Sequence, residues 1–283
     1  MTREELRKLQ KKNDRYWKRR EMRQRMRLYN KSVQELDGEL FKQYRRVFKD
    51  IKREFLSTLE EVKGRDDVIQ PSDLYNSKRY YQMLNEVNAE LDRLTMKNVT
   101  TIEDKLLAVY EEQSRASAGE FGLYYSIDKQ AAMTVITETW CSDGRDLSQR
   151  IWRNRDILMQ RLEQSLFDFV SRGQPTAQLV SDLIADQIGP TAAEFGSVLN
   201  DDFREAYNNA RRLVRTETAR VQTRAAQDRY REAGFTKWRV IAEPDCCEVC
   251  ADLTEQVFDI DQVVIPAHPN CRCAMVALTE SLQ

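Results

Sequence analysis

Residues 246–273 read CCEVCADLTEQVFDIDQVVIPAHPNCRC and decide how the last part of the chain folds. They contain five of the six cysteines and the only histidine. Cys247 and Cys250 form a Cys-x-x-Cys pair, in which two thiolates on one tight turn can bind a single metal at about 2.3 Å. His268 and Cys271 repeat this spacing. The two halves together predict one structural Zn²⁺ in a tetrahedral Cys₃His site.

Three alternatives to this zinc site stay open. The thiols could remain reduced without metal, or could form a disulfide, although cytoplasmic thiols are normally kept reduced. A catalytic metal is disfavoured, because four protein ligands leave no position for water and spacing places no second histidine or carboxylate as a general base. Cys246 and Cys273 are spare thiols, and either could replace Cys247 or His268 as a ligand.

The residues around the cluster predict a small module that contains strands. Residues 237–242 have the β-branched and aromatic bias of a strand, and residues 257–258 and 274–278 are two shorter candidates. A module of about 50 residues is small enough to need a covalent or metal staple. The metal would supply that staple.

Upstream of this module the sequence predicts helices, because only 9 Gly and 6 Pro interrupt 283 residues. The first helix covers residues 3–63 and has one kink or break at Gly38. A second helix is predicted from 72 to about 97, a third begins at 101, and a fourth ends near 140. Three more are predicted over 148–173, 175–189 and 193–232. The predicted fold class is therefore mainly α with a small C-terminal α+β module, which we expect to be stapled by zinc and to resemble a β-hairpin.

Four consecutive segments follow from this pattern. They are a long, basic and charged helical arm (1–63), a helical segment (64–140), a helical core (141–233) and the Cys/His module with short strands (234–283).

No stretch approaches the roughly 18 apolar residues of a membrane span. The basic N-terminus lacks the apolar core of a signal peptide. We therefore expect synthesis in the cytoplasm and no membrane partner.

The net charge of −1 conceals a strong asymmetry. Residues 1–31 hold 13 Lys and Arg against 4 Asp and Glu, so they carry +9 and the remainder carries −10. A basic arm on an acidic body predicts an anionic partner, either DNA or an acidic protein surface. The alternative is a solvated helix face that orders only on a partner. The candidate contact residues are Arg7, Lys8, Lys11, Lys12, Arg15, Lys18, Arg19, Arg20, Arg23, Arg25 and Arg27.

Glu217 falls within the apolar stripe of the predicted helix 193–232. A buried carboxylate needs a partner, so the structural interpretation is an ion pair with an arginine that docks this helix on the cysteine module. The alternative makes Arg215 and Glu217 catalytic, as in transferase-like toxins. No phosphate-binding loop or second acid motif accompanies them, so no catalytic residue is predicted. Trp140 and Trp152 are predicted to anchor the core of the helical body.

The C-terminal half also carries several ordered sequence blocks. They are Trp140 with LSQRIW (147–152), FVSRG (169–173), RLVRTETA (212–219), AGF (233–235) with Trp238, and HPNCRC (268–273). Together they resemble the phage Mu F-like head morphogenesis family, also called phage minor head or minor capsid proteins. HPNCRC is the most specific block, and the resemblance covers roughly residues 130–278.

This resemblance implies a minor head protein, present in few copies, that is bound at the portal vertex inside the procapsid and acts in head assembly. The implied partners are the portal protein, other head proteins such as capsid or scaffold, and non-specific double-stranded DNA. The implied location is the host cytoplasm during assembly and then the interior of the virion. We expect no enzyme activity and no small-molecule substrate. The alternatives are a zinc-containing DNA-binding protein and, third, a toxin-like transferase or a nuclease.

Overall fold

The computed structural model describes residues 3–63, 68–173, 175–176, 198–243, 246–254 and 256–278. Side chains are described from residue 19 onward within these ranges, except at residues 21 and 198. Most of the short helix predicted over 175–189 lies outside the described residues. So does the predicted start of the next helix at 193.

The described chain is mainly helical and ends in one small sheet, which confirms the predicted fold class. The helices are α1 (Arg3–Val62), α2 (Pro71–Tyr75), α3 (Lys78–Phe121), α4 (Lys129–Thr137), α5 (Leu147–Val170), α6 (Val198–Glu232) and α7 (Glu248–Leu253). The strands are β1 (Lys237–Ile241), β2 (Val257–Asp259) and β3 (Ala274–Ala277). No helix among the described residues is long and apolar enough to cross a membrane.

One predicted helix boundary is wrong. Helix α1 runs through Gly38 without a break, as one helix, whereas α3 runs through residues 97–101, where two helices were expected. Thr101 and Asp104 mimic an N-terminal capping box, but the apolar stripe continues across them because Leu94 and Ile102 are both buried. The Thr101 hydroxyl accepts a hydrogen bond from Gln43 at 3.3 Å instead of capping a helix. Burial of the continuous stripe therefore outweighs the local capping signal.

The chain divides into two compact units. Unit 1 contains Met1–Asp37, Ile102–Glu138 and Arg212–Gln283, and unit 2 contains Gly38–Thr101 and Thr139–Arg211. Each unit thus combines stretches that are far apart in sequence. The four consecutive segments predicted above describe the order along the chain, and that division stays a prediction.

Unit 2 is a helical core built on the apolar face of α1. Phe48 packs edge-on against Phe203 with ring centroids 5.1 Å apart. Asn154 of α5 donates to the Tyr44 hydroxyl at 3.3 Å and to the Ala206 carbonyl at 2.9 Å. Apolar packing therefore joins α1 to α6, and the half-buried Asn154 amide fixes α5 against both.

The tryptophans predicted to anchor the helical body are not the most buried ones. Trp140 and Trp152 are both half-buried, and the Arg150 guanidinium lies 5.6 Å from the Trp140 ring centre. Trp238 on β1 is instead fully buried in unit 1. Its ring lies against Phe258, with centroids 5.1 Å apart. The aromatic anchor of the core thus belongs to the sheet.

The sheet of unit 1 is antiparallel, with strand order β2-β1-β3. On the central strand, Trp238 and Val240 point into the core, as the two-residue period of a strand requires. The core they enter also receives Tyr230 from α6 and Phe121 from α3. The cysteine-rich segment therefore shares its apolar core with the helices of unit 1. This common core positions the site described next.

Candidate metal centre

The cysteine and histidine side chains converge from two short segments of unit 1. Cys247 is the N-cap residue of α7, and Cys250 lies in that helix. His268 and Cys271 lie in the turn before β3, where the Cys271 N–H donates to the His268 carbonyl at 3.1 Å. Asn270 closes this turn with a left-handed φ of 64°. Two independent turns therefore present one thiol pair and one imidazole–thiol pair.

The distances between these side chains suit a tetrahedral metal. Cys250 Sγ lies 3.7 Å from Cys271 Sγ, close to the roughly 3.8 Å edge of a tetrahedron with Zn–S bonds of about 2.3 Å. His268 Nε2 lies 3.1 Å from the Sγ atoms of both Cys247 and Cys250. These distances are somewhat shorter than the roughly 3.5 Å edge expected between a zinc-bound nitrogen and a zinc-bound sulfur.

Five residues of the described chain form two overlapping groups of ligand atoms. Cys247, Cys250 and His268 form one group, and Cys250, Cys271 and Cys273 form the other. Within each group the ligand atoms lie within 4.8 Å of one another, and the groups share Cys250. The structure thus brings together the four predicted ligands and the alternative ligand Cys273. Cys246 belongs to neither group and packs, half-buried, against the apolar core.

The imidazole is held in the tautomer that a metal ligand needs. His268 Nδ1 lies 2.8 Å from the Pro269 carbonyl oxygen. A carbonyl can only accept, so Nδ1 carries the proton and Nε2 keeps its lone pair. That lone pair faces Cys247 and Cys250. A backbone carbonyl that orients the second ring nitrogen is a common feature around metal-binding histidines.

The thiols divide into one that ionises readily and two that do not. Hydrogen bonding from Cys273 lowers the pKa of the Cys271 thiol to about 5. The same hydrogen bond raises the pKa of Cys273, and burial raises the pKa of Cys250 to about 12. Negative charge is therefore concentrated on Cys271. A soft divalent cation such as Zn²⁺ would stabilise the remaining thiols as thiolates, so the residues present fit that metal.

Two further contacts tie the histidine turn to its surroundings. The Asn270 N–H donates to the Thr216 hydroxyl of α6 at 3.0 Å. Arg272, next to Cys271, forms an ion pair with Glu243. The turn is thus fixed both to α6 and to the segment that follows β1.

Glu217 forms the predicted ion pair with an arginine. Its carboxylate lies 2.7 Å from Arg220 Nε, and both side chains are 1% exposed. Arg220 also donates to the backbone carbonyls of Val135 at 2.7 Å and Ile136 at 2.9 Å. The pair therefore holds the end of α4, and its docking on the cysteine module stays a prediction. Arg215 is half-buried and lies outside these bonds.

The basic arm divides into exposed and buried residues. Arg19, Arg20, Arg23 and Arg27 are exposed, as a partner-binding face requires. The predicted residues Arg7, Lys8, Lys11, Lys12, Arg15 and Lys18 lie outside the residues whose side chains are described.

Arg25 does not belong to that face. It is 3% exposed and donates to the Thr223 hydroxyl at 2.9 Å and to the Met275 carbonyl at 3.5 Å. The prediction that Arg25 contacts a partner was therefore wrong, because its guanidinium forms hydrogen bonds inside unit 1. A sequence signal existed, since Arg25 shares a helical face with the buried residues Leu28, Tyr29 and Leu36.

Comparison with known proteins gives two matches. Residues 160–276 match the family described as Phage Mu protein F like protein. The chain is also similar to the NAD(+)--arginine ADP-ribosyltransferase EFV of Enterococcus faecalis (strain ATCC 700802 / V583), with 23% identity over 287 residues. That match covers 90% of this chain and 54% of the relative, so the chain spans about half of the relative's length. No solved structure matches.

Proposed function

Because residues 160–276 belong to the phage Mu protein F-like family, we propose that this chain is a phage minor head protein that acts in procapsid assembly at the portal vertex. The family match carries the proposal. The matched segment contains all five clustered ligand residues and the buried Glu217–Arg220 ion pair. The candidate metal site and this buried pair therefore both lie in the part of the chain that resembles the family. The proposed location is the procapsid and virion interior.

The arrangement of the metal centre favours a structural role. Cys250, Cys271 and Cys273 are buried and belong to the apolar core of unit 1. A zinc ion held by three thiolates and one imidazole has no position left for a substrate or a water. When bound, zinc would accept lone pairs from these side chains and so cross-link α7 to the turn before β3. Such a cross-link stabilises a fold, which is the role expected in an assembly protein.

We propose that this chain is itself not an enzyme, although one relative is named an ADP-ribosyltransferase. Nearly half of that relative lies outside the match, so its activity need not reside in the shared part. Within this chain, the acidic candidate Glu217 is buried and its carboxylate accepts a hydrogen bond from Arg220. A substrate cannot reach its carboxylate without opening unit 1.

Portal binding is tested by co-expression with the portal protein of the same phage, followed by size-exclusion chromatography. We expect one complex that contains both proteins and survives dilution to micromolar concentration. The portal protein of an unrelated phage serves as the control and should elute separately. Clean separation from the cognate portal, with both proteins folded, would contradict the portal-vertex role.

The exposed arm supports a second candidate, which is contact with packaged DNA. Arginines neutralise backbone phosphates and release counterions, so the logarithm of affinity should fall linearly with the logarithm of salt concentration. We expect Arg19→Gln, Arg20→Gln and Arg23→Gln together to reduce this slope by about 2 to 3. These substitutions are preferable to deletion of residues 1–31, because Arg25 and Leu28 belong to the core of unit 1. Affinity that does not depend on salt would exclude this contact.

A further inference from the structure

A second basic surface lies on α1 in unit 2, C-terminal to the basic residues 1–31. Five cations and one carboxylate line an open groove of about 480 Å³, namely Lys42, Arg45, Arg46, Lys49, Asp50 and Arg53. We propose that this basic groove binds the phosphate backbone of double-stranded nucleic acid. The proposal goes beyond the proposed function, since it needs neither portal binding nor any of residues 1–31.

Helix geometry places the cations in one row. Lys42, Arg46, Lys49 and Arg53 are separated by four, three and four residues, which puts them on one face of α1. They are exposed, whereas the opposite face is buried through Val47, Phe48 and Ile51. The row extends for about 16 Å, given a rise of about 1.5 Å per residue. B-DNA presents one phosphate per 3.4 Å of axis on each strand, so a row of this length can meet several phosphates.

The charges of the row are available to a partner. Within the described part of the chain, Lys42, Arg46 and Lys49 form no ion pair. Arg53 has Asp50 as an acidic neighbour, but the pair is 3.5 Å apart and the Arg53 side chain is 77% exposed. An exposed pair of this kind contributes little and exchanges easily for a phosphate. Lys42, Arg46 and Lys49 therefore present positive charge that no acidic side chain of the described residues neutralises.

The composition of the groove distinguishes the duplex from other anionic partners. A protein interface would need apolar or aromatic residues at its centre, and a membrane surface would need an exposed apolar face. Single-stranded nucleic acid would need aromatic rings for base stacking. The groove is lined by charged residues only, and the nearby Phe48 is buried. Phosphate contact without base contact is the mode that this surface supports.

The test uses the full chain and a fluorescently labelled 20-base-pair duplex, with anisotropy measured at several salt concentrations. The groove variant carries Lys42→Gln, Arg46→Gln and Lys49→Gln. The matched control carries Lys78→Gln, Lys97→Gln and Arg153→Gln, which removes the same charge from exposed positions of the same unit. We expect the groove variant to lower the salt slope by about 2.7 and to weaken binding at least about tenfold, with the control unchanged.

Equal slopes for the groove variant and the wild-type chain would overturn the proposal. The same holds if both variants lose affinity equally, since that would reflect net charge alone. A preference for single-stranded over duplex DNA would also overturn it. Portal co-elution of the groove variant is measured in parallel, because the groove can fail as a DNA site while portal binding remains, and the reverse. Circular dichroism confirms that the variant is folded.

Discussion

We expect Cys250→Ser to prevent zinc binding and to abolish the cooperative unfolding of unit 1. Cys250 is the one residue that both groups of ligand atoms share, so its loss leaves only the pairs Cys247–His268 and Cys271–Cys273. Structural zinc contributes apparent binding free energies of about 10–16 kcal/mol in small domains, and that energy is folding energy. The loss should extend into α6, because Tyr230 lies in the same core. The described residues of this core all belong to unit 1, so unit 2 should retain its helical signal.

The measurement is zinc content per chain together with thermal unfolding. His268→Ala should behave like Cys250→Ser. Cys141→Ser is the matched control, because Cys141 lies outside both groups and its replacement should leave zinc content unchanged. Cys273→Ser decides the ligand set, since retained zinc would assign the fourth position to Cys271. Unchanged zinc content and melting in both Cys250→Ser and His268→Ala would remove the metal proposal.

Arg220→Met is the second substitution with a large expected effect. It leaves the Glu217 carboxylate buried without its cation and removes the donors of two backbone carbonyls at the end of α4. Breaking a buried ion pair by removing one partner costs about 3–5 kcal/mol of unfolding free energy. Adding Glu217→Leu should recover part of that loss, because no buried charge then remains unpaired.

Urea unfolding followed by circular dichroism measures this effect. Arg93→Ala is the control, since its pair with Glu90 is exposed and should contribute less than about 1 kcal/mol. A loss below about 1 kcal/mol in Arg220→Met would show that the buried network does not hold α4. Full stability in the double variant would show that the pair serves specificity rather than stability.

The features that follow from local sequence pattern were predicted. The three strands are set by short β-branched and aromatic runs, and the two halves of the metal centre by a spacing of three residues. In each case the determining residues lie within a few positions of each other. A tight turn therefore brings Cys247 to Cys250, and His268 to Cys271, whatever the rest of the chain does.

The features that depend on distant partners could not be predicted in the same way. Arg25 carries the same charge as its exposed neighbours, and its position on the buried face of α1 does not reveal that Thr223 and Met275 accept its hydrogen bonds. One acceptor for Arg220, the Ile136 carbonyl, lies 84 residues away. The continuity of α3 depends on which of its residues are buried by elements that lie far away in the sequence. Spacing along one element contains no information about which other element will meet it.

The composition of unit 1 also sets an order for folding during synthesis. All residues of unit 2 are synthesised before Arg212 is added, so its helices can begin to pack before unit 1 is complete. Met1–Asp37 must wait for the last strand, because Arg25 is anchored to Met275, 250 residues later. Contacts of such high sequence separation form slowly. Arg25 therefore lacks its acceptor at Met275 for most of synthesis. It reaches its final surroundings only after β3 has been synthesised.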